Sequence, residues 1–315
     1  MLGIAYYDDI EKDLKYASYD GARVNVERVD TAGDVGQYCS LAFGPDGYPA
    51  ISYYDATGAD LKFAFCDGSQ WHIETVDTDG SGSGSGRYSS LKFTPDGYPA
   101  ISYQCHVAYQ QILLRYAEKN AAGWTLTTVQ QLKYVIQDLS LAFGANGYPS
   151  IAYQDYDKYY VYYAAWNGSA WSTQNTYGRY TESLSLAITP GGQPAIAYWD
   201  YINSKLWYMT RSSGSFWSSG QTVDVMQSVH NAHVSLAFAP DGQPAVGYHD
   251  EKNGHLKYAK YNGSQWVIST IDADGFVGAY SSLAFSPDGR PAISYFDATR
   301  GVLKLAEWVE GCVMP

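Results

Sequence analysis

The sequence has no excess of positive charge, no long apolar run and no paired cysteines, and each absence narrows what the chain can be. Lys and Arg number 20 against 32 Asp and Glu, a net charge of −12. Binding a nucleic-acid duplex requires a cationic stripe that displaces counterions, and no Lys/Arg cluster is present. Nucleic acid and anionic membrane surfaces are poor partners for such a chain. No apolar stretch approaches the roughly 20 residues that span a bilayer. Met1-Leu2-Gly3-Ile4-Ala5 lacks the basic start and long apolar core of an export signal. The four cysteines, Cys39, Cys66, Cys105 and Cys312, fall at four different positions of the repeat described below. No pair recurs, which argues against a disulfide framework and against a CxxC metal site. One opportunistic bridge stays open, and so does the redox compartment.

What the chain does have is tyrosine and glycine, 31 of each, with only 10 Phe. Aromatic residues favour strands and Gly supplies tight turns, so the composition points to many short strands rather than helices. No composition shift along the 315 residues marks a boundary, and residues 1–315 read as a single domain.

Internal repetition is the dominant signal. The segment from Ser40 to Asp55, SLAFGPDGYPAISYYD, returns from Ser90 and again from Ser140, Ser185, Ser235 and Ser282. A partial copy opens the chain, where Gly3–Asp8 matches Ala50–Asp55. The units run over about 1–39 (partial), 40–89, 90–139, 140–184, 185–234, 235–281 and 282–315 (partial). Turn chemistry divides each unit into four strands. Strand a (40–43) closes at Pro45-Asp46-Gly47, strand b covers Ala50–Tyr54, and strand c covers Leu61–Phe65. After the Asp67-Gly68 hairpin, strand d runs from Trp71 to about Val76.

Period-2 alternation puts Ile51 and Tyr53 on one face of strand b and Ala50, Ser52 and Tyr54 on the other. Sheets with one bulky and one slim face stack on copies of themselves. The expected fold is therefore all-β, a seven-bladed β-propeller of four-stranded repeats about 45–50 residues long. Its first blade would hold only strands b–d and its last only a–c, which suggests a chain incomplete at its start. Ser81–Gly86, an alternating Ser-Gly run, reads as a flexible linker.

The Pro-Asp-Gly-x-Pro-x-Ile-Ser-Tyr-x-Asp repeat resembles bacterial β-propeller repeats of the BNR and sialidase-like group. The resemblance covers nearly the whole chain and speaks to fold. The Asp-box of that group is matched only in part, by Asp67-Gly68-Ser69-Gln70-Trp71, and no sialidase-type arginine triad can be placed. The wider set includes lectins, polysaccharide lyases and glycosidases, among which fold does not choose.

Residues repeated in every blade are read as structural, and departures from the repeat as functional leads. Asp8, Asp55, Asp155, Asp200, Asp250 and Asp297 end strand b, where each is expected to accept backbone N–H bonds in its own turn. Trp71, Trp124, Trp171, Trp217 and Trp266 recur near strand d and read as packing residues. His72 and His255, on or beside strands, read the same way.

One departure is Gln104-Cys105-His106 with Tyr109 and Arg115, in which His106 and Tyr109 offer a base and an acid. Arg87 or Arg179 in neighbouring linkers could neutralise a carboxylate. Another is His230 and His233 in a linker with His249 and Asp250 at the next strand b, a weak candidate for a divalent metal. No cofactor is otherwise required.

The favoured reading is an extracellular or cell-surface recognition propeller that binds a glycan or protein at its loop-bearing end. Candidate ligand-binding residues are Arg87, Tyr88, His106, Tyr109, Arg179, Tyr180, His233, His249 and Asp250. The alternative is a polysaccharide-cleaving enzyme, foremost a lyase acting on uronic acid glycans, with His106, Tyr109, Arg179 and His249 as the catalytic set.

Overall fold

The computed structural model describes residues 2–78, 84–212, 216–227 and 232–308. Its regular structure is entirely strand, gathered into five four-stranded and two three-stranded antiparallel sheets whose strands follow one another in sequence order. One sheet per repeat makes a seven-bladed β-propeller. Blade 1 holds Leu2–Asp8, Asp13–Tyr19 and Val24–Asp30, the expected strands b–d, and blade 7 holds Val277–Phe285, Pro291–Asp297 and Val302–Glu307, strands a–c. Blade 2 shows the full pattern: Val35–Phe43, Pro49–Asp55, Asp60–Cys66 and Trp71–Thr78.

By its contacts the chain divides into two compact units. The first takes residues 1–151, 155–158 and 164–172 and the second takes the rest, the boundary running through the fourth sheet.

Strand a begins earlier than turn chemistry suggests, at Val35 rather than Ser40, because it carries an irregular entry with register shifts at Gln37 and Ser40. Gly36 has φ 107°, and a Cβ there would lie 2.8 Å from Leu14 Cα, so only glycine fits. Gly86 repeats this against Leu61 Cα at 2.8 Å. The Ser81–Gly86 reading is corrected accordingly. Ser85 and Gly86 belong to strand a of blade 3 (Ser85–Phe93), while residues 81–83 lie outside the described residues.

Within the first unit the faces of strand b separate as alternation requires. Ile51 and Tyr53 pack with Leu14 and Tyr16 of blade 1, whereas Ala50 packs with Leu91, Ile101 and Tyr103 of blade 3. In the second unit Val246 and Tyr248 join Leu206 and Tyr208 of blade 5, and Ala245 joins Leu283 and Ile293 of blade 7.

Three polar or aromatic devices join blade to blade, and each explains a repeated residue. In four repeats the opening serine accepts the N–H of a leucine in the next strand a: Ser40 from Leu91 (3.0 Å), Ser90 from Leu141 (3.1 Å), Ser185 from Leu236 (3.0 Å) and Ser235 from Leu283 (2.9 Å). A tryptophan at or before strand d of five blades meets an aromatic ring of the preceding blade edge-on. Trp71–Tyr16, Trp124–Phe63, Trp171–Tyr116, Trp217–Tyr163 and Trp266–Tyr208 have centroids 5.3–5.4 Å apart.

The third device is a buried lock. Tyr53 donates to Asp30 of the preceding blade (2.6 Å), Tyr103 to Asp77 (2.6 Å), Tyr248 to Asp224 (2.8 Å) and Tyr295 to Asp272 (2.8 Å). A strand-c cation completes each lock. Lys257 bridges Asp224 (3.1 Å) and Asp250 (2.9 Å), Lys304 bridges Asp272 and Asp297 (both 3.0 Å), and Arg115 reaches Asp77 (2.6 Å).

Candidate functional site

The carboxylates at the ends of strand b are occupied structurally. Asp55 accepts the N–H groups of Thr57 and Gly58 and pairs with Lys62, and Asp250 accepts from Asn253 and pairs with Lys257. Burial alone would raise the Asp250 carboxyl, but Asn253 and Lys257 outweigh it and hold it below the ordinary range.

In blade 3, Arg115 is committed to Asp77. Tyr109 sits 90% exposed at the tip of the b–c hairpin, and the His106 backbone N–H bonds the Gly84 carbonyl at 2.8 Å. No hydrogen bond or ring contact joins His106 to Tyr109 among the described residues. Arg87 lies over the Tyr54 ring, 5.2 Å from its centroid, and the Tyr88 ring lies 4.5 Å from that of Tyr38, tilted by 45°.

His230 lies outside the described residues. His233 and His249 approach to 6.0 Å between ring centroids, and His233 also lies 4.5 Å from the Tyr280 ring. Burial, helped by His249, pushes His233 down to about 4. No group of three or more His, Cys, Asp or Glu is placed to hold a metal ion among the described residues. Cys39, Cys66 and Cys105 form no disulfide among the described residues, and Cys312 lies outside them. His72 packs on Phe65 and reaches Asp67 at 2.6 Å.

The arrangement changes in the second unit, at the junction of blades 4 and 5. Trp171 precedes Ser185 by only 14 residues, against 16 from Trp266 to Ser282 and 19 from Trp71 to Ser90. Strand d of blade 4 (Trp171–Arg179) and strand a of blade 5 (Thr181–Ile188) are therefore separated by Tyr180 alone. Such a short linker leaves less chain to cover the b–c turns beside it.

The lock is also absent here. For the lock of blade 5, Tyr177 of the preceding blade stands where the aspartate is found elsewhere, and Trp207 where the lysine is. In blade 4 the corresponding residues are Gln130 and Tyr162.

Tyrosines gather at this junction. Tyr159, 42% exposed, holds the b–c turn position with φ 58°, where blades 2 and 5 place Ala59 and Ser204 at φ 60° and 56°. Tyr180 has φ 54° and is half-buried. Tyr159 and Tyr180 have ring centroids 5.8 Å apart, and Tyr180 and Tyr201 6.2 Å, so three rings form a row. The Tyr180 N–H bonds the Tyr159 carbonyl (3.0 Å) and the Tyr201 N–H bonds the Tyr180 carbonyl (3.1 Å), which fixes the spacing of the row.

Arg179 is exposed, lies 4.4 Å over the Tyr160 ring and hydrogen-bonds its hydroxyl. Between residues 159 and 212 the charges are Arg179, Lys205 and Arg211 against Glu182 and Asp200, so the acid excess of the chain is missing locally. Flat aromatic faces, phenolic hydroxyls and a guanidinium suit a ligand with both apolar faces and polar edges.

Arg179 and Tyr180 are thus brought together, as their adjacency in sequence requires. Tyr159, Tyr160 and Tyr201 were not singled out from the sequence. Their signal lay in the 45-residue interval from Ser140 to Ser185, and in a tyrosine at a turn position that elsewhere holds small residues.

No protein-family model matches the chain. No curated protein matches it either. Solved structures of propeller fold do. The SapL1 lectin in complex with α-methyl fucoside aligns at TM-score 0.63 and 13% identity, covering 87% of this chain and 93% of that one. A mutant of the Aleuria aurantia lectin in complex with Fucα1-6GlcNAc gives 0.57 and 16%, covering 87% and 92%. The Hadza microbial sialidase Hz136 gives 0.57 and 13%, covering 90% and 70%. At these identities the similarity is one of fold, and it agrees with the resemblance read from the repeat.

Proposed function

We propose that the protein is a recognition propeller that binds a glycan, and that its site is the tyrosine row Tyr159–Tyr180–Tyr201 with Arg179. The single observation that carries this is an exposed tyrosine, Tyr159, at a b–c turn position. Other blades place Lys12, Ala59, Gln110 or Ser204 there at the same positive φ, so the residue rather than the backbone marks the site. The same b–c turn position accepts Ala59 and Ser204, so the fold does not call for a tyrosine there. Three rings about 6 Å apart, inclined to one another by 40° and 72°, offer both faces and edges to a sugar, while phenolic hydroxyls and the guanidinium meet sugar hydroxyls.

Two propellers of the same fold have been solved with fucosides bound, which supports a glycan as the ligand class. A glycan ligand also fits a place outside the cell or at its surface.

The repeat supplies one substitution that the fold already tolerates, Tyr159→Ala, which imports the residue of blade 2, and Arg179→Gln removes the guanidinium of an exposed side chain. On a glycan array followed by calorimetry, each is expected to weaken the best glycan by about 1 kcal/mol, roughly fivefold, with melting unchanged. A silent array, or a hit whose affinity survives both substitutions, overturns the reading.

A further inference from the structure

Gln154, in strand b of blade 4 (Pro149–Asp155), is fully buried, and neither its amide oxygen nor its amide nitrogen has a hydrogen-bond partner among the described residues. The equivalent residues of other blades face the linker of the following blade. Tyr54 lies under Arg87, the Gln104 amide oxygen accepts the Ile136 N–H at 2.6 Å, and His249 meets Phe276 edge-on at 5.1 Å. The same strand-b position in blade 4 places Gln154 on the side of the linker that follows, the one that holds Tyr180.

Gln104 holds an amide at the same position in blade 3, where its oxygen accepts a linker N–H, but Gln154 makes no such bond among the described residues. Strand b otherwise holds its pattern, yet this residue is Tyr54, Trp199 or Phe296 in other blades, so the fold accepts an apolar side chain. A buried amide with both atoms unpaired is destabilising, because it has given up water for nothing. Retaining one beside the only linker of a single residue (among the described linkers) points to a partner that arrives with the ligand.

We infer that Gln154 is a specificity-determining residue of the tyrosine-row site, and that it takes a vicinal diol of a bound sugar. This rests on the glycan reading above and adds to it what the site distinguishes. A primary carboxamide offers one acceptor oxygen and one donor NH2 side by side. Two neighbouring hydroxyls complement it, one donating to Oε1 and the other accepting from Nε2. The diol reaches the amide when the side chains of the linker turn aside. The side chains that must turn are the exposed Arg179, which lies on the Tyr160 ring, and the half-buried Tyr180, whose ring lies between Tyr159 and Tyr201. A site built to pair polar groups rejects analogues that lack them far more strongly than an apolar pocket does.

The test uses the full chain with Gln154→Met, close in shape, and Gln154→Leu as the second variant. Melting is followed by calorimetry. Binding is measured with methyl α-L-fucoside, methyl β-D-galactoside and methyl α-D-mannoside, each beside an analogue deoxygenated at one hydroxyl of its diol. The expected result is a melting temperature equal to or above wild type in at least one variant. Affinity for the glycoside that binds should fall at least tenfold, and preference over its deoxy analogue should disappear. A fall in melting temperature in both variants shows a structural amide and overturns the inference. Unchanged affinity and preference overturn it too, while leaving the glycan reading in place. If no glycoside binds the wild type, the glycan reading itself falls, and the diol role with it.

Discussion

Asp77 concentrates more of the interblade lock than any other described residue, and its removal is the sharpest test of how the blades are held. Its Oδ2 accepts from Tyr103 (2.6 Å), from Arg115 (2.6 Å) and from Ser85 (3.1 Å), and its side chain is 4% exposed. Asp77→Ala leaves a buried tyrosine hydroxyl unpaired, at about 1–3 kcal/mol, and a partly buried guanidinium without its counterion. Breaking a buried pair by deleting one partner costs roughly 3–5 kcal/mol, and the 24% exposure of Arg115 reduces this. The expected loss is therefore about 3 kcal/mol, read from urea unfolding monitored by tryptophan fluorescence. Blade 4 supplies the rescue. It keeps the tyrosine, Tyr153, while Gln130 and Tyr162 replace the aspartate and the cation. Transplanting that pair as Asp77→Gln with Arg115→Tyr should recover at least half of the loss, with a coupling energy above about 1 kcal/mol. A loss below about 0.5 kcal/mol, or strict additivity of the two changes, refutes the lock.

The other devices give smaller, separable effects. Ser90→Ala should cost about 1 kcal/mol by unfolding and speed hydrogen exchange at the Leu141 amide, which loses its acceptor. Trp124→Ala should cost roughly 3 kcal/mol, because it removes the edge contact with Phe63 and the bond from its indole N–H to Glu74 (3.0 Å), whereas Trp124→Phe should cost less than half of that. Burial, with His249 beside it, holds His233 near 4 while Glu251 opposes the shift. The unfolded chain therefore binds a proton that the native state refuses, so this contribution is full above about pH 6.5 and is lost as pH falls towards 4. Urea unfolding between those values should show a decline on the order of 2 kcal/mol that His233→Phe abolishes. The Asp297 carboxyl, which burial would raise but Arg300 and Lys304 pull down to about 2, governs a separate loss between about pH 4 and pH 2.

Much of the fold was legible because it rests on local chemistry repeated many times. The Pro-Asp-Gly and Asp-Gly turns fixed the strand boundaries, and the alternation of Ile51 and Tyr53 with Ala50 and Ser52 fixed the faces. The early start of strand a was not legible. Its residues Gly36 and Tyr38 adopt positive φ, which breaks the period-2 pattern that identifies strands. The lock was hidden for a different reason: its members, such as Asp224, Tyr248 and Lys257, come from separate strands, and only the packing of two blades joins them. At the candidate site, Arg179 and Tyr180 stood out as linker residues, but Tyr159 and Tyr201 passed as members of a tyrosine-rich chain. Their grouping depends on a linker shortened to one residue, whose effect is spatial.

Ring-selective NMR of the tyrosine-labelled protein, titrated with the strongest glycan from the array, tests the central claim most directly. Among the 31 tyrosines, the rings of Tyr159, Tyr160, Tyr180 and Tyr201 should shift with a common saturation curve. Signals such as Tyr53 and Tyr103, buried in the lock, should stay still. A saturating glycan that moves other tyrosines and leaves these four unchanged would contradict the account.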